Sequence, residues 1–312
     1  MHKSIVSIIV SLHFFNQFIS FVSRLFIRTK ILKKIVIVRV DGGICSQMYF
    51  YAIGQFFASK GYTVKYDITW FQKYGIDIIG KDKRTFDLLK AFPDLHFTKA
   101  NKLEIILYRP FIYHNNYTDT SSQSSAWMNL EPPVYLQGYY RTPVSFIPEH
   151  FNMFRFDSNV LDSSNKEMLS FILQKNESVA VHVRRGDLSD YHSIYGSPVT
   201  VNYFASAINY FYERLSSPFF FFFSDDILYV KDELINNLKL TENYYIVNLN
   251  DPTKGYMDLF LIAACHHFIT SKGSLGKYGS MLRNDKDSMV VLYDDSREQE
   301  WRGKLQNITY LI

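Results

Sequence analysis

The chain has 312 residues, 47% of them hydrophobic and 21% charged, with a formal net charge of +4. That is ample apolar material for two domains of moderate size; it excludes a disordered chain, and so mild a charge gives no footing for nucleic-acid binding. The two cysteines, Cys45 and Cys265, lie far apart, so neither a disulfide framework nor a zinc-ligand spacing can be built from them.

The first 33 residues stand apart. From Ser4 to Ser23 there is no Lys, Arg, Asp or Glu, a length at which a membrane span must be considered. Yet His13, Asn16, Gln17, Ser20, Ser23 and Arg24 recur at three- and four-residue steps, with Phe14, Phe15, Phe18, Phe21, Val22, Leu25 and Phe26 opposite them. That pattern predicts an amphipathic helix in residues 1–33, which lies on a membrane surface through residues 1–30 in preference to crossing it. The basic cluster Arg24, Arg28, Lys30, Lys33 and Lys34 suits an anionic cytoplasmic leaflet. The expectation is a cytoplasmic protein held peripherally at the inner face of the membrane, with a single-span anchor, or a helix packed on the protein's own body, as the alternatives.

Strand and helix signals then alternate. Lys34–Val40 reads as a strand, Asp41-Gly42-Gly43 as a turn, Gln47–Lys60 as a helix and Tyr62–Asp67 as a strand. A helical stretch near Thr85–Phe92 stops at Pro93, the polar segment Tyr113–Asn129 reads as a long loop, and Val134–Tyr140 as a further strand. In the second half, strands are predicted at Ser178–Val183, Phe219–Phe223, Tyr244–Val247, His267–Thr270 and Met289–Tyr293. Helices fall between them near Val201–Leu215, Asp226–Asn236, Tyr256–Cys265 and Ser274–Leu282. This rhythm implies parallel sheets wrapped by helices, an α/β chain of two parts: residues 34–160 and residues 161–312.

Three loops of the second half share one address, the carboxyl ends of predicted parallel strands, where ligands bind in open α/β sheets. The first is Arg184-Arg185-Gly186-Asp187, after an apolar run ending in His182-Val183. The second is Ser224-Asp225-Asp226. The third is Ser271–Gly279, whose glycines surround Ser274 ahead of a helix. Arginine forks and backbone N–H groups suit phosphate oxygens, and carboxylates suit a nucleoside. Strand alternation puts Arg184 on the face of His182 and turns Arg185 the other way. Taken singly, the arginine pair reads equally well as a surface ion-pair loop, and Asp225-Asp226 as a helix cap.

The motif His182-x-Arg184-Arg185-x-Asp187 resembles the donor-binding signature of glycosyltransferase family 11, the α-1,2-fucosyltransferases, and more loosely that of α-1,6- and protein O-fucosyltransferases. Other stretches resemble family motifs in the same order: DGGICSQMYFYAIG at 41–54, YLQGYY at 135–140, FFFSDD at 221–226 and DLFLIAACHHFITSKGSLGKYGSML at 258–282. The sequence departs from the family pattern at Cys45-Ser46, Lys272-Gly273 and Lys277-Tyr278.

The resemblance implies a GT-B-like fold, two Rossmann-like doubly wound domains facing across a cleft. It also implies an inverting transfer of L-fucose from GDP-fucose to an acceptor glycan, which can be lipid-linked, at galactose O-2. By the same resemblance Arg184 stabilises the leaving diphosphate, Arg185, Gly186 and Ser274 serve the donor, and Asp225 and Asp226 serve its guanosine end. Gly42, Gly43 and Gln47 contribute from the first part. Asp187 and His182 are both candidates for the general base, beside a base from the first part. GDP-fucose enters as substrate; no cofactor and no metal are expected. A non-catalytic nucleotide-sugar or glycan-binding protein is the alternative from another class, and another linkage or GDP-sugar the alternative within this one.

Overall fold

A computed structural model describes residues 2–30, 33–76, 83–114, 125–140, 142, 145–190, 196–295 and 298–312, with the side chains of 2–13, 114, 147, 148, 187 and 190 outside the description. The chain divides into two compact units. One comprises Met1–Asp41, Ser46–Tyr74 and His96–Phe146; the other comprises Gly42–Cys45, Gly75–Leu95 and Ile147–Ile312.

The first unit is built on α1 (His2–Arg28), β1 (Ile35–Arg39), α2 (Ile44–Ser59), β2 (Thr63–Asp67), α3 (Lys102–Tyr108), β3 (Ile112–His114) and β4 (Val134–Gln137). Its strands pair in the order β2-β1-β4-β3, every pair parallel. β1 is apolar from Ile35 to Val38 and buried over that run, as a central parallel strand must be. Asn101 caps α3 through a capping box with Glu104. Ile35 and Ile37 pack with Tyr108 and Tyr135, and Ile27 of α1 rests on that cluster. The segment expected as a loop, Tyr113–Asn129, begins inside β3; residues 115–124 lie outside the described residues. Ile112–His114 is too short for an alternating pattern to show, which is why it escaped the sequence.

The second unit follows as α4 (Ser163–Leu173), β5 (Ser178–Val183), α5 (Gly186–Asp190), α6 (Val201–Tyr212), β6 (Phe219–Ser224), β7 (Tyr244–Val247), α7 (Gly255–Ala264), β8 (His267–Thr270), α8 (Leu275–Arg283), β9 (Val290–Tyr293) and β10 (Ile308–Leu311). Its strands run β10-β9-β8-β5-β6-β7, again all parallel. Counted within the unit and from the opposite edge, this is the order 3-2-1-4-5-6 of the doubly wound dinucleotide-binding sheet. Alternate residues of β5 and β6 serve opposite layers. Val179, Val181, Phe220 and Phe222 join Tyr203, Phe204, Ala207 and Phe211 of α6 in one cluster. On the other face Phe221 meets Phe171 of α4 edge-on, ring centroids 5.4 Å apart. The run of five phenylalanines is therefore a strand covered on both faces, as its composition requires.

In such a sheet the connections leave to opposite sides of two neighbouring strands, and a crevice opens at their carboxyl ends. Here those strands are β5 and β8, with His182 in register with Thr270. Everything that β5 and β8 deliver next sits at that crevice.

Candidate active site

β5 ends at Val183 and hands Arg184 to the crevice. The Arg184 backbone N–H donates to Ser271 Oγ at 2.7 Å, tying the loop after β5 to the loop after β8. Gly273 stands in the left-handed region at φ +92°, and a Cβ there would meet Arg184 Cγ at 3.5 Å. Glycine thus lets the turn adopt a backbone that other residues rarely take while lying against the arginine stem. Gly276 in the first turn of α8 has a different reason. A Cβ would come within 2.9 Å of Thr270 Cγ2 and 3.0 Å of His182 Cβ, so its absence lets α8 press its amino-terminal turn onto the ends of β5 and β8.

Asp225 is the hub of the opposite wall. Its Oδ1 accepts the backbone N–H groups of Arg185 at 2.8 Å and Gly186 at 3.1 Å, while its Oδ2 pairs with the Arg184 guanidinium. A Cβ on Gly186 would lie 3.0 Å from Asp225 Oδ2, so a larger residue there would push the carboxylate back by a few tenths of an ångström. Asp226 accepts from Tyr229 N–H at 3.0 Å as a helix cap and lies 3.4 Å from Arg185 Nε. The Arg185 guanidinium stacks 3.7 Å above the Tyr229 ring centroid. The two arginines accordingly diverge: Arg184 turns to the crevice of β5 and β8, Arg185 to the helical segment after β6. Asp187 lies in the backbone of α5, and its side chain is outside the described residues.

His182 is buried beneath Arg184, and its Nδ1 has no hydrogen-bond partner; neither does Thr270 Oγ1 beside it. Burial pushes the imidazole down to about 3, with Arg184 and Lys277 acting in the same direction and Asp225 opposing. His182 is therefore a neutral ring at the floor of the crevice. Ser274 precedes α8 without a side-chain cap bond. Cys45, grouped with this same unit, shares a hydrogen bond with Ser274 and is pushed up to about 12 by burial. Gly42 opens its turn at φ +72°, Gly43 has open space at its missing Cβ, and Gln47 is buried on α2.

Sequence reasoning missed several partners that shape this place. Lys277 is buried with its Nζ 2.5 Å from Gly273 O and paired to the buried Glu298 carboxylate. Lys272 Nζ lies 3.2 Å from Asp295 Oδ2. Both acids follow β9, outside any motif, so only the fold brings them to the third loop. In the first unit, Tyr139 Oη lies 3.2 Å from Asp41 Oδ1 and 3.0 Å from Ser46 Oγ at the carboxyl end of β1. Burial raises the Asp41 carboxyl, against the lowering effects of Arg39 and Tyr139.

Residues 92–311 match the model of the family described as glycosyl transferase family 11. An alpha-1,2-colitosyltransferase of Escherichia coli is 26% identical over 267 residues, covering 80% of this chain and 88% of that protein. The O-antigen biosynthesis glycosyltransferase WbnK of Escherichia coli is 24% identical over 160 residues, 49% of this chain and 52% of its own length. Among solved structures, the ADP-heptose LPS heptosyltransferase II of E. coli superposes with a TM-score of 0.45 at 11% identity, over 89% of this chain and 90% of that one.

Proposed function

The chain belongs to glycosyl transferase family 11, and from that premise we propose that it moves L-fucose from GDP-fucose to a glycan hydroxyl, galactose O-2 in the favoured case, with inversion at C1. The observation that carries the donor half of this reading is the convergence at the β5–β8 crevice: Arg184, the Gly273 turn and the first turn of α8 meet where a doubly wound sheet takes its nucleotide. In the proposed reaction the acceptor oxygen forms a bond to C1 as the bond from C1 to the diphosphate oxygen breaks. The electron pair leaves with GDP, and the acceptor proton passes to a base. Arg184 and backbone N–H groups meet the charge that grows on the leaving diphosphate. Arg185 and Asp226, with Tyr229 beneath, lie toward the guanosine end, and Asp225 holds the loop that presents both arginines. The bases named from the sequence are Asp187, His182 and a group of the first part; at the crevice His182 is a buried neutral ring.

A second donor has a specific observation behind it, the similarity to a colitosyltransferase. Colitose is L-fucose without its 3-hydroxyl, and either GDP-sugar would use the same diphosphate contacts. The test offers the purified chain GDP-fucose or GDP-colitose with an array of β-galactosides and identifies the product linkage. Transfer from GDP-fucose to O-2 is expected; preference for GDP-colitose moves the assignment to the second donor. Binding of GDP with no transfer from either sugar sinks the enzymatic reading.

A further inference from the structure

α1 carries its apolar residues on the wrong side for a helix that merely completes a core. Ser23 is fully buried, and Ile27 packs on the cluster of Ile35, Ile37, Tyr108 and Tyr135. That face attaches the helix to the first unit. The outward face is aromatic: Phe15 is 58% exposed, Phe18 63%, Phe21 66% and Leu25 44%. Phe18, Phe21 and Leu25 follow one another at helical steps of three and four, so they form one stripe. α3, which packs against α1, adds exposed Leu103 and Ile106. Of the polar set singled out in the sequence, Ser23 is buried and Ser20 half-buried against the protein, while Asn16, Gln17 and Arg24 are exposed beside the aromatic stripe; His13 is outside the residues whose side chains are described.

Charge decides what this face fits. Residues 1–40 contain no Asp or Glu. Arg24, Arg28, Lys30, Lys33 and Lys34 are all exposed at the carboxyl end of the same helix and just beyond it. We propose that this face docks on an anionic lipid surface, with the phenylalanines entering the headgroup region and the basic cluster meeting lipid phosphates. Aromatic rings beside a one-signed cationic border are the composition of an interfacial helix. A second copy of the chain is the poorer occupant, because a two-fold contact sets a patch against itself and would oppose these cations to one another. Among the described residues no helix is long and apolar enough to cross a membrane, which agrees with a helix that lies on the surface. The inference does not depend on the donor assignment.

The test uses the full chain with phosphatidylcholine vesicles, with and without phosphatidylglycerol. Co-sedimentation is expected with the anionic vesicles and should weaken as salt is raised. Phe18→Ser/Phe21→Ser should abolish it. Arg24→Gln and Arg28→Gln should each reduce partitioning on the order of fivefold, because each basic residue near the surface contributes independently. Phe18→Trp gives a conservative reporter whose emission should shift to the blue on anionic vesicles only. The arginine and tryptophan variants leave the packed face of α1 intact, so they decide the matter even if the serine pair disturbs folding. Equal binding to neutral vesicles, or no response to either arginine, overturns the proposal. So does a dimer in analytical ultracentrifugation that the Phe18→Ser/Phe21→Ser change dissolves.

Discussion

Truncating Arg184 separates two roles that the structure superimposes, an ion-pair partner and a brace for a leaving group. In Arg184→Ala the guanidinium no longer pairs with Asp225, but Asp225 keeps its bonds from the Arg185 and Gly186 N–H groups, at 2.8 Å and 3.1 Å. The tie from the residue-184 backbone to Ser271 Oγ is also independent of the side chain. The lost pair is about a quarter exposed on each side, 27% for Arg184 and 24% for Asp225. Solvent-screened pairs of this kind contribute up to about 1 kcal/mol, so unfolding free energy should fall by no more than that. The rate should respond far more. If Arg184 meets charge that develops only as the diphosphate departs, its loss lowers kcat by on the order of a hundred- to a thousand-fold, about 3–4 kcal/mol in the barrier, with KM for the donor changing little. Arg184→Lys should recover little of this, since an ammonium cannot make two parallel bonds to phosphate oxygens. Arg185→Ala supplies the contrast: it loses the stack on Tyr229 and the contact with Asp226, so it should raise the donor KM more than it lowers kcat. The measurements are steady-state kinetics beside urea unfolding of each variant. A near-normal kcat in Arg184→Ala, or a rate loss no larger than its unfolding explains, would refute the assignment and leave an ion-pair loop.

Acid should destabilise the protein through His182: its folded value is about 3 against 6.5 for the free side chain, so the unfolded chain binds the extra proton between those limits. The contribution is complete above pH 6.5 and is lost as pH falls through the window; His182→Gln should flatten that acid slope in urea midpoints, and an unchanged slope would count against the buried neutral ring. Glu298→Leu alone should cost about 3–5 kcal/mol by stranding the Lys277 ammonium, whereas Lys277→Met/Glu298→Leu together should be near neutral. Equal losses in the single and double variants, again by urea unfolding, would mean that the pair is not coupled as the structure draws it. Transfer activity should survive excess EDTA, because guanidinium and N–H groups supply the positive charge in the proposed reaction; loss restored by manganese would replace that account.

What the sequence made legible was whatever it wrote as a continuous run. β5, β7 and β8 begin and end at the residues their apolar runs predicted, and β5 is buried at all six of its positions. Two of the edge strands, β3 and β10, were not legible. β3 is three residues long, and the four residues of β10 are each only half-buried, so neither offers a full period of alternation. α4 was missed for a different reason: only three of its first seven residues are buried, so the stretch offers little apolar pattern. At the site, the motif placed Arg184, Asp225 and Gly273 on neighbouring loops, because each ends a strand whose neighbours follow from topology. Ser271 as the acceptor of the Arg184 N–H, and Tyr229 as the platform for Arg185, needed the fold itself. A residue that is polar and ordinary in composition carries no sign of its partner 87 positions away.

The third loop shows how a departure from a family pattern can leave a backbone in place. Two lysines stand in Ser271–Tyr278 at positions that depart from the family pattern, and each is paired with an acid beyond β9. Lys272 goes to Asp295 and passes 5.5 Å from the Tyr293 ring; Lys277 goes inward to Glu298 and holds Gly273 O. Neither ammonium is therefore a spare cation for a phosphate. A buried lysine needs a carboxylate beside it, and Lys277 has the buried Glu298. The Gly273 turn is held from below by Nζ, from the side by Ser271 against Arg184, and by the packing of Gly276 on Thr270 and His182. With the lysines neutralised, the cationic group left at the crevice of β5 and β8 among the described residues is Arg184, itself shared with Asp225. A diphosphate arriving there must compete with Asp225 for one side of the guanidinium. Asp225→Asn keeps an oxygen for the two backbone N–H groups and removes that competition, so it should tighten GDP binding while leaving the loop in place. Weaker GDP binding by Asp225→Asn in calorimetry, with an unchanged unfolding midpoint, would mean that Asp225 orients Arg184 for the ligand and does not compete for it.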